Sequence, residues 1–424
     1  MLIAAIISAS LLTVMSILHV LAAKYFSVSI VNGKRPVDVT FQPRATIILS
    51  IRGCDPSLEK NLVGLLQQDY DNYDIIAVVD HQTDEGWATI HHIKSEFDTE
   101  HRLKICELSS PGNSCSLKCS ALVQAFDRLP EETEVIVLVD ADVVPHREWL
   151  LQATSPLADS DVGVVTGNQW FEPHNQAAGS VVRSLWNAGA LVPTAVLANP
   201  WAGTCALRVA DIRKAGLVDI WKQSIVDDGP LRAAIKPLGK HIVFNPELIM
   251  VNRENCTAEY VNRYVPRMLT WSRIYETTYI TTFLHMVFLV GSLIACGVLA
   301  VAGIVGGNLL VSGICLAALV ANVLLNLGSY VVVRDSIRRI ESRRDEIRHQ
   351  HYLSPLSPLR LLRLAMLIPV CQIGFGWWTI RSLFARRVNW RQITYEIDGP
   401  ASIRMIDYRP INLESEVATS RVSI

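Results

Sequence analysis

Two kinds of hydrophobic pattern divide the chain. Residues 1–23 (MLIAAIISASLLTVMSILHVLAA) carry no charged side chain and are followed by Lys24, Lys34, Arg35 and Arg44. That run is close to the ~20 residues a helix needs to cross the hydrocarbon of a bilayer. It lacks the basic start of a signal peptide, so it reads as an uncleaved anchor over 1–25, and the positive charges that follow place the next segment in the cytoplasm. From Pro43 the pattern becomes short apolar runs alternating with amphipathic ones. Ala45–Ile51, Tyr73–Val79, Arg102–Cys106 and Glu134–Val139 read as strands. Pro56–Gln68, with Leu58, Leu62, Leu65 and Leu66 at helical spacing, reads as a helix, as do Glu85–Phe97 and Ser116–Arg128. Buried strands alternating with helices predict an α/β, Rossmann-like, mostly parallel sheet flanked by helices, with function gathered at the carboxyl ends of the strands.

Beyond Thr278 long apolar runs return, at about 279–305, 309–333 and 356–380, the first two separated by Gly306-Gly307-Asn308 as a tight hairpin. The pattern therefore predicts a globular domain over 38–275, transmembrane helices over 276–385 and a tail over 386–424. Between the second and third runs a loop at 334–355 carries Arg334, Arg338, Arg339, Arg343, Arg344 and Arg348 with acids among them. This reads as a solvated, ion-paired segment and marks the cytoplasmic side. The run 181–200 holds Arg183 and Pro193, which suits a helix on the membrane surface or a lid better than a span. The tail, with Trp390 and Tyr395-Glu396-Ile397, reads as a short hairpin, and its side of the membrane depends on whether 356–380 crosses fully.

Composition sharpens this picture in two ways. A formal net charge of −1 without a basic stripe excludes a nucleic-acid partner. The nine cysteines include no CxxC pair and read as free thiols, and no clustered Cys/His set suggests zinc.

Acidic residues at strand ends carry the candidate chemistry. Asp80 closes YDIIAVVD, Asp140 and Asp142 form Asp-Ala-Asp after EVIVLV, and Asp227 and Asp228 pair in SIVDDGPL. An Asp-x-Asp leaving a buried strand turns its carboxylates to one side, where hard oxygens suit Mg²⁺ or Mn²⁺ completed by substrate phosphates. For Asp227 and Asp228 the alternative is a cap on a helix over Gly229–Ile235. His81, His91 and His92 read as surface residues, and Trp170 and Trp186 as either a lipid entrance or interfacial aromatics. Asn255-Cys-Thr257 fits a glycosylation acceptor that a cytosolic domain would never present.

These segments together resemble family 2 glycosyltransferases, and most of all their ceramide glucosyltransferase branch. The likeness runs through Arg52-Gly-Cys-Asp-Pro-Ser-Leu-Glu-Lys-Asn-Leu, Gln68-Asp-Tyr-Asp-Asn-Tyr-Asp, Asp80, Ser116-Leu-Lys-Cys, Asp140-Ala-Asp142, Gly203-Thr-Cys-Ala-Leu-Arg, Val226-Asp-Asp and Arg267-Met-Leu-Thr-Trp271. It covers about residues 40–275, and the flanking helices match as well. The resemblance implies a GT-A fold, a UDP-sugar donor and a lipid acceptor at the membrane. Asp80 would meet the uracil and ribose, and Asp142 with Asp140 would hold Mg²⁺ or Mn²⁺. Lys118 would contact phosphate, unless it is simply solvated. Asp228 would be the general base with Asp227 before it, Arg267 would reach the diphosphate, and Trp271 the acceptor end. In the family's pattern an arginine precedes the tryptophan; here Thr270 stands in its place, and Arg263 or Arg273 is the nearest candidate to restore the charge. A processive polysaccharide synthase would need more spans than the four available. A non-catalytic scaffold is opposed by the intact acids, and a transporter by the scarcity of ionisable groups in the apolar runs.

Overall fold

The computed structural model describes residues 1–33, 38, 40–344, 353 and 355–409. Helix α1 (Leu2–Tyr25) runs on through a π-helical turn at Phe26–Val31. The globular part follows as β1 (Ala45–Ile51), α2 (Leu58–Leu66), β2 (Tyr73–Val79), α3 (Glu85–Phe97), β3 (Leu103–Glu107), α4 (Leu117–Phe126) and β4 (Val135–Val139). Then come α5 (Trp149–Thr154), β5 (Val162–Phe171), α6 (Ala178–Leu197), β6 (Thr204–Arg208), α7 (Val209–Lys214), α8 (Leu217–Trp221), α9 (Leu231–Ile235), β7 (His241–Asn252) and α10 (Ala258–Tyr275). The chain closes with α11 (Tyr279–Val305), α12 (Leu309–Arg343), α13 (Pro358–Phe384) and strands β8 (Arg387–Trp390), β9 (Ile393–Gly399) and β10 (Ser402–Asp407).

Seven strands form one sheet in the order β3-β2-β1-β4-β6-β5-β7, parallel except that β6 runs against both β4 and β5. The predicted strands and helices of the first half are present, Ala45–Ile51, Tyr73–Val79 and Glu85–Phe97 with the same ends and the others shifted by at most two residues. Their strands read as continuous apolar runs because both faces are covered. Ile47, Leu49, Val135 and Val137 face α2, α3 and α5, while Ile48, Ile136 and Leu138 face α4 and α8.

Among the described residues four helices are long and apolar enough to cross a membrane: α1 with its π-turn, α11, α12 and α13. The turn between α11 and α12 is as tight as its glycines predict. A Cβ on Gly303 would lie 2.4 Å from the Ser312 hydroxyl, which donates to the Ala300 carbonyl at 3.0 Å. A polar seam joins the bundle: the Ser16 hydroxyl donates to Asn322 Oδ1 at 2.8 Å, and Asn322 Nδ2 to Gln372 Oε1 at 2.8 Å.

The arginine-rich segment differs from its predicted form. Positions 334–343 are not a loop but the last turns of α12, which runs unbroken for 35 residues; Arg348 lies outside the described residues. Arg334 is buried rather than solvated, because Glu172 at the end of β5 meets it at 2.9 Å and meets Arg360 of α13 at 2.6 Å. Arg344 donates to the carbonyls of Glu247 and Ile249, both at 2.7 Å. The basic end of α12 is thus bolted to the globular domain. Despite burial, the two guanidiniums hold the Glu172 carboxyl below the usual range. A depressed carboxylate stabilises the fold above its unfolded pKa and loses that contribution as pH falls through the folded value. Glu172→Gln removes the carboxylate that both Arg334 and Arg360 meet and is expected to cost about 3 kcal/mol. A melting curve near neutral pH checks this, and the gap to the parent should shrink in acid.

Helix α13 keeps both ends on the same domain. At its start Arg360 reaches Glu172; at its end Arg381 donates to the Asn262 carbonyl at 2.8 Å, and Arg273 of α10 donates to the carbonyl of Leu383. Both ends of α13 are therefore held by the globular domain, and the strands that follow it pack back onto that domain. That tail forms three strands, not a hairpin, in the order β10-β9-β8, and its Val388, Ile393, Tyr395, Ile397 and Ile403 join the core beneath α4 and α8. The globular unit is therefore built from 40–275 together with 387–409.

Candidate active site

Strand ends and the loops after them converge on one cleft. Asn61 of α2 fixes the Asp140-Ala-Asp142 turn by donating to the carbonyls of Asp140, at 3.0 Å, and Val143, at 2.7 Å. Asp84 ties the loop after β1 to the start of α3, accepting from the amides of Gly53 and Gly86 at 2.8 Å each. Gly203 has no room for a side chain: a Cβ there would sit 2.0 Å from the ring of Trp201, which lines the cleft. All seven residues singled out by the sequence besides Asp80 (Lys118, Asp140, Asp142, Asp227, Asp228, Arg267 and Trp271) line this cleft, and Asp80 lines it too.

The acids differ in how they are held. Asp80 is buried, with Arg52 paired to one carboxylate oxygen and the Tyr408 hydroxyl donating to the other at 3.1 Å. Burial raises its pKa, and Arg52 opposes the rise. Lys118 is neither solvated nor free: its ammonium bridges Asp140 Oδ1 at 2.5 Å and Asp227 Oδ2 at 3.0 Å. Asp142 makes no hydrogen bond or ion pair through its carboxylate among the described residues. Desolvation, then the charges of Asp140, Asp55 and Glu254, push its pKa well up. An unpartnered carboxylate surrounded by like charges is suited to a divalent cation. No cluster of three or more metal-ligating side chains occurs among the described residues, so substrate oxygens would have to complete such a site.

Asp227 and Asp228 do not cap a helix. Helix α9 begins at Leu231, is preceded by Pro230, and has no side-chain cap bond. Burial raises Asp227, partly offset by Lys118. Among the described residues the Asp228 carboxylate accepts only from the amide of Ala202, at 3.2 Å, and burial followed by the charge of Asp227 pushes it up to about 7. On the opposite wall Arg267 lies between two rings, 5.8 Å from the centroid of Tyr264 and 5.7 Å from that of Trp390, with no hydrogen bond or ion pair to a described residue.

Residues 6–403 match the profile of glycosyl transferase family 21. The chain belongs to that family. It is a hexosyltransferase acting on a nucleotide-sugar donor, with the GT-A fold and the ceramide glucosyltransferase likeness that its motifs imply. No curated protein matches the chain. Among solved structures, the mannosyltransferase PcManGT from Pyrobaculum calidifontis, in complex with GDP-Man and Mn²⁺, is 16% identical, covering 89% of this chain and 97% of its own, with a TM-score of 0.48. Glucosyl-3-phosphoglycerate synthase from Mycobacterium tuberculosis, in complex with Mn²⁺, UDP and glucosyl-3-phosphoglycerate, is 15% identical over 57% of this chain and 88% of its own, with a TM-score of 0.37. At those values neither likeness bears on this family member's chemistry.

Several cleft residues were not legible as such. Trp390, Arg391, Ile393 and Tyr395 come from the tail, beyond three long helices, and Tyr260 and Tyr264 from α10. Their only sequence signal was the alternation of the tail strands and the helical spacing of 260, 264, 267, 268 and 271. Trp170 is fully buried and donates to Glu172 at 3.0 Å, so it neither lines an entrance nor sits at an interface. Thr257 caps α10, its hydroxyl oxygen accepting from the Tyr260 amide at 3.1 Å, which gives Asn255-Cys-Thr257 a structural role.

Proposed function

We propose that the chain is an inverting transferase that moves a hexose, or an N-acetylhexosamine, from a UDP-sugar to the hydroxyl of a membrane lipid such as ceramide. The observation that carries this is Asp228: a carboxylate in the cleft, pushed up to about 7 and bonded only to one backbone amide. A base works best when its pKa lies near the operating pH. Asp227, engaged by Lys118, is the less available of the pair and serves to hold Asp228 high.

In the reaction the acceptor oxygen bonds to the anomeric carbon as the bond from that carbon to the diphosphate breaks. The hydroxyl proton passes to Asp228 and from there to solvent. One displacement converts an α-linked donor into a β-linked glycolipid. Asp80, with Arg52, suits the uracil and ribose; Arg267 the diphosphate; Trp271 the acceptor end. Asp142, with Asp140 beside it, would hold Mg²⁺ or Mn²⁺, which when bound neutralises charge growing on the leaving diphosphate.

A lipid acceptor is supported by what walls the cleft. Tyr260 and Tyr264 line it and belong to the same apolar cluster as Val182 of α6 and Cys371 and Trp378 of α13, with Trp186 edge-on to Tyr264 at 5.8 Å. An acceptor chain lodged against the apolar cluster of α6, α10 and α13 would lie next to the tyrosines that line the cleft. The basic end of α12 lies on the domain's side, which supports a cytoplasmic catalytic domain and crossing by α1, α11 and α12. The test is UDP release by the purified protein in detergent, across UDP-sugars and lipid acceptors, with Mn²⁺ or with chelator. Release that needs both a lipid and the cation is expected. Equal release with water-soluble acceptors alone, or in chelator, would overturn this reading.

A further inference from the structure

Thr270 leaves the cleft one cation short of the family's pattern, and neither arginine near it in sequence makes good the loss. Arg263 is exposed and paired with Glu259 at 3.1 Å, while Arg273 donates to the carbonyls of Leu383 and Ala385. Thr270 itself is fully buried, its hydroxyl turned back onto the Pro266 carbonyl at 2.7 Å.

A cation does arrive, from the tail. Strands β8 and β9 pair through Trp390 and Ile393, leaving Arg391 and Gln392 as a two-residue turn. Both have positive φ, 51° and 63°. Asparagine and glycine are the usual occupants of such a turn, because a larger side chain is strained there. Strain of this kind persists where the surroundings over-determine it, and it gathers at ligand sites. This turn enters the cleft. The Arg391 guanidinium grips both oxygens of Asp55, at 2.9 and 2.7 Å, and donates to the Arg52 carbonyl at 3.0 Å. Those three bonds run through Nη1 and Nη2, so at most three of its five N–H donors are used. It lies close enough to act on the charges of both Asp142 and Arg267, and Trp390 beside it covers Arg267 and meets Trp271 at 6.5 Å. The side chain is 26% exposed, so one edge faces the cleft. A planar guanidinium with unused N–H donors matches a phosphate better than an ammonium does.

We infer that Arg391, carried into the cleft on the tip of the tail sheet, binds the donor's diphosphate together with Arg267 and replaces the arginine missing at position 270. Asp55 is its positioning residue. The inference rests on the nucleotide-sugar reading above and adds a donor-binding residue from outside the segment that carries the family's motifs. It also gives the strained, non-glycine turn at this spot a role.

The test measures binding of UDP and of uridine, each with Mn²⁺, to the full-length protein and to Arg391→Ala, Arg391→Gln and Arg391→Lys. Loss of charge-assisted bonds to a phosphate predicts UDP binding weaker by about 10- to 100-fold in the Ala and Gln variants. Uridine binding should stay near the parent's, and Lys should recover part of the UDP loss. Equal weakening of UDP and uridine would mean that Arg391 only anchors the tail, and unchanged UDP binding would mean it is not a ligand; either overturns the inference. If Ala lowers the melting temperature sharply, the Lys variant decides, since it keeps the charge but not the fork. A parent that binds neither UDP nor GDP would instead sink the donor reading on which the inference stands.

Discussion

Asp228→Asn is expected to lower glycosyl transfer by about 10²- to 10⁴-fold, the range a general base contributes, with donor binding little changed. The group is pushed up to about 7, by burial first and then by Asp227. The parent's rate should therefore rise with pH through about 7, as the carboxylate loses its proton and becomes able to take one from the acceptor. That limb should vanish in the Asn variant. Stability follows the opposite sign. A carboxyl whose folded pKa is raised binds its proton more tightly in the native state, so its contribution is full below the unfolded pKa and is lost as pH rises through the folded value. Asn removes the repulsion with Asp227, so the variant should melt no lower than the parent at about pH 8. Steady-state rates across pH, with melting curves alongside, separate loss of the base from loss of the fold. A residual rate with the same acidic limb would show that another group takes the proton.

Lys118→Met is expected to destabilise the fold strongly. The ammonium lies between Asp140 and Asp227, its side chain 16% exposed and that of Asp227 3% exposed. Although burial alone would lower its pKa, the two carboxylates raise it well above the ordinary lysine range. A raised lysine stabilises the fold below its unfolded pKa and keeps doing so until pH passes the folded value, so its contribution is constant across neutral pH. Replacing it leaves two acids without their counter-charge, at an expected cost of about 3 kcal/mol at about pH 8. The deficit should narrow toward about pH 5 as the stranded Asp227 carboxyl, already raised by burial, takes up a proton. Melting curves of the two proteins at both pH values check this. A deficit independent of pH would mean that lost packing, not charge, accounts for the change.

The acids were legible because chain direction and burial act together on them. A buried apolar strand must end where solvent begins, and Asp80, Asp140 and Asp142 stand at such ends. The paired Asp227 and Asp228 were ambiguous in sequence; the structure removes the capping alternative because α9 starts three residues later, behind Pro230. What the pattern missed depends on distance along the chain. Nothing local to Trp390, Arg391 or Tyr408 says that this tail folds back onto β1 and β2, because the partners, Arg52, Asp55 and Asp80, lie more than 300 residues away. Arg334 was misread for the same reason. An arginine just past an apolar run looks like a membrane-flanking charge, and only Glu172, 162 residues earlier, makes it a buried one. The run 356–380 is apolar enough to span, and its hydropathy gives no sign that both of its ends bond to the globular domain.

The proposed transfer is tested most directly by the configuration of its product. The purified protein, supplied with UDP-glucose, ceramide and Mn²⁺, would be followed by proton NMR of the anomeric position, with Asp228→Asn in parallel. The account predicts a β-glucosylceramide formed by the parent and none above background from the variant. An α-linked product, or a glycolipid formed equally well without Asp228, would contradict it.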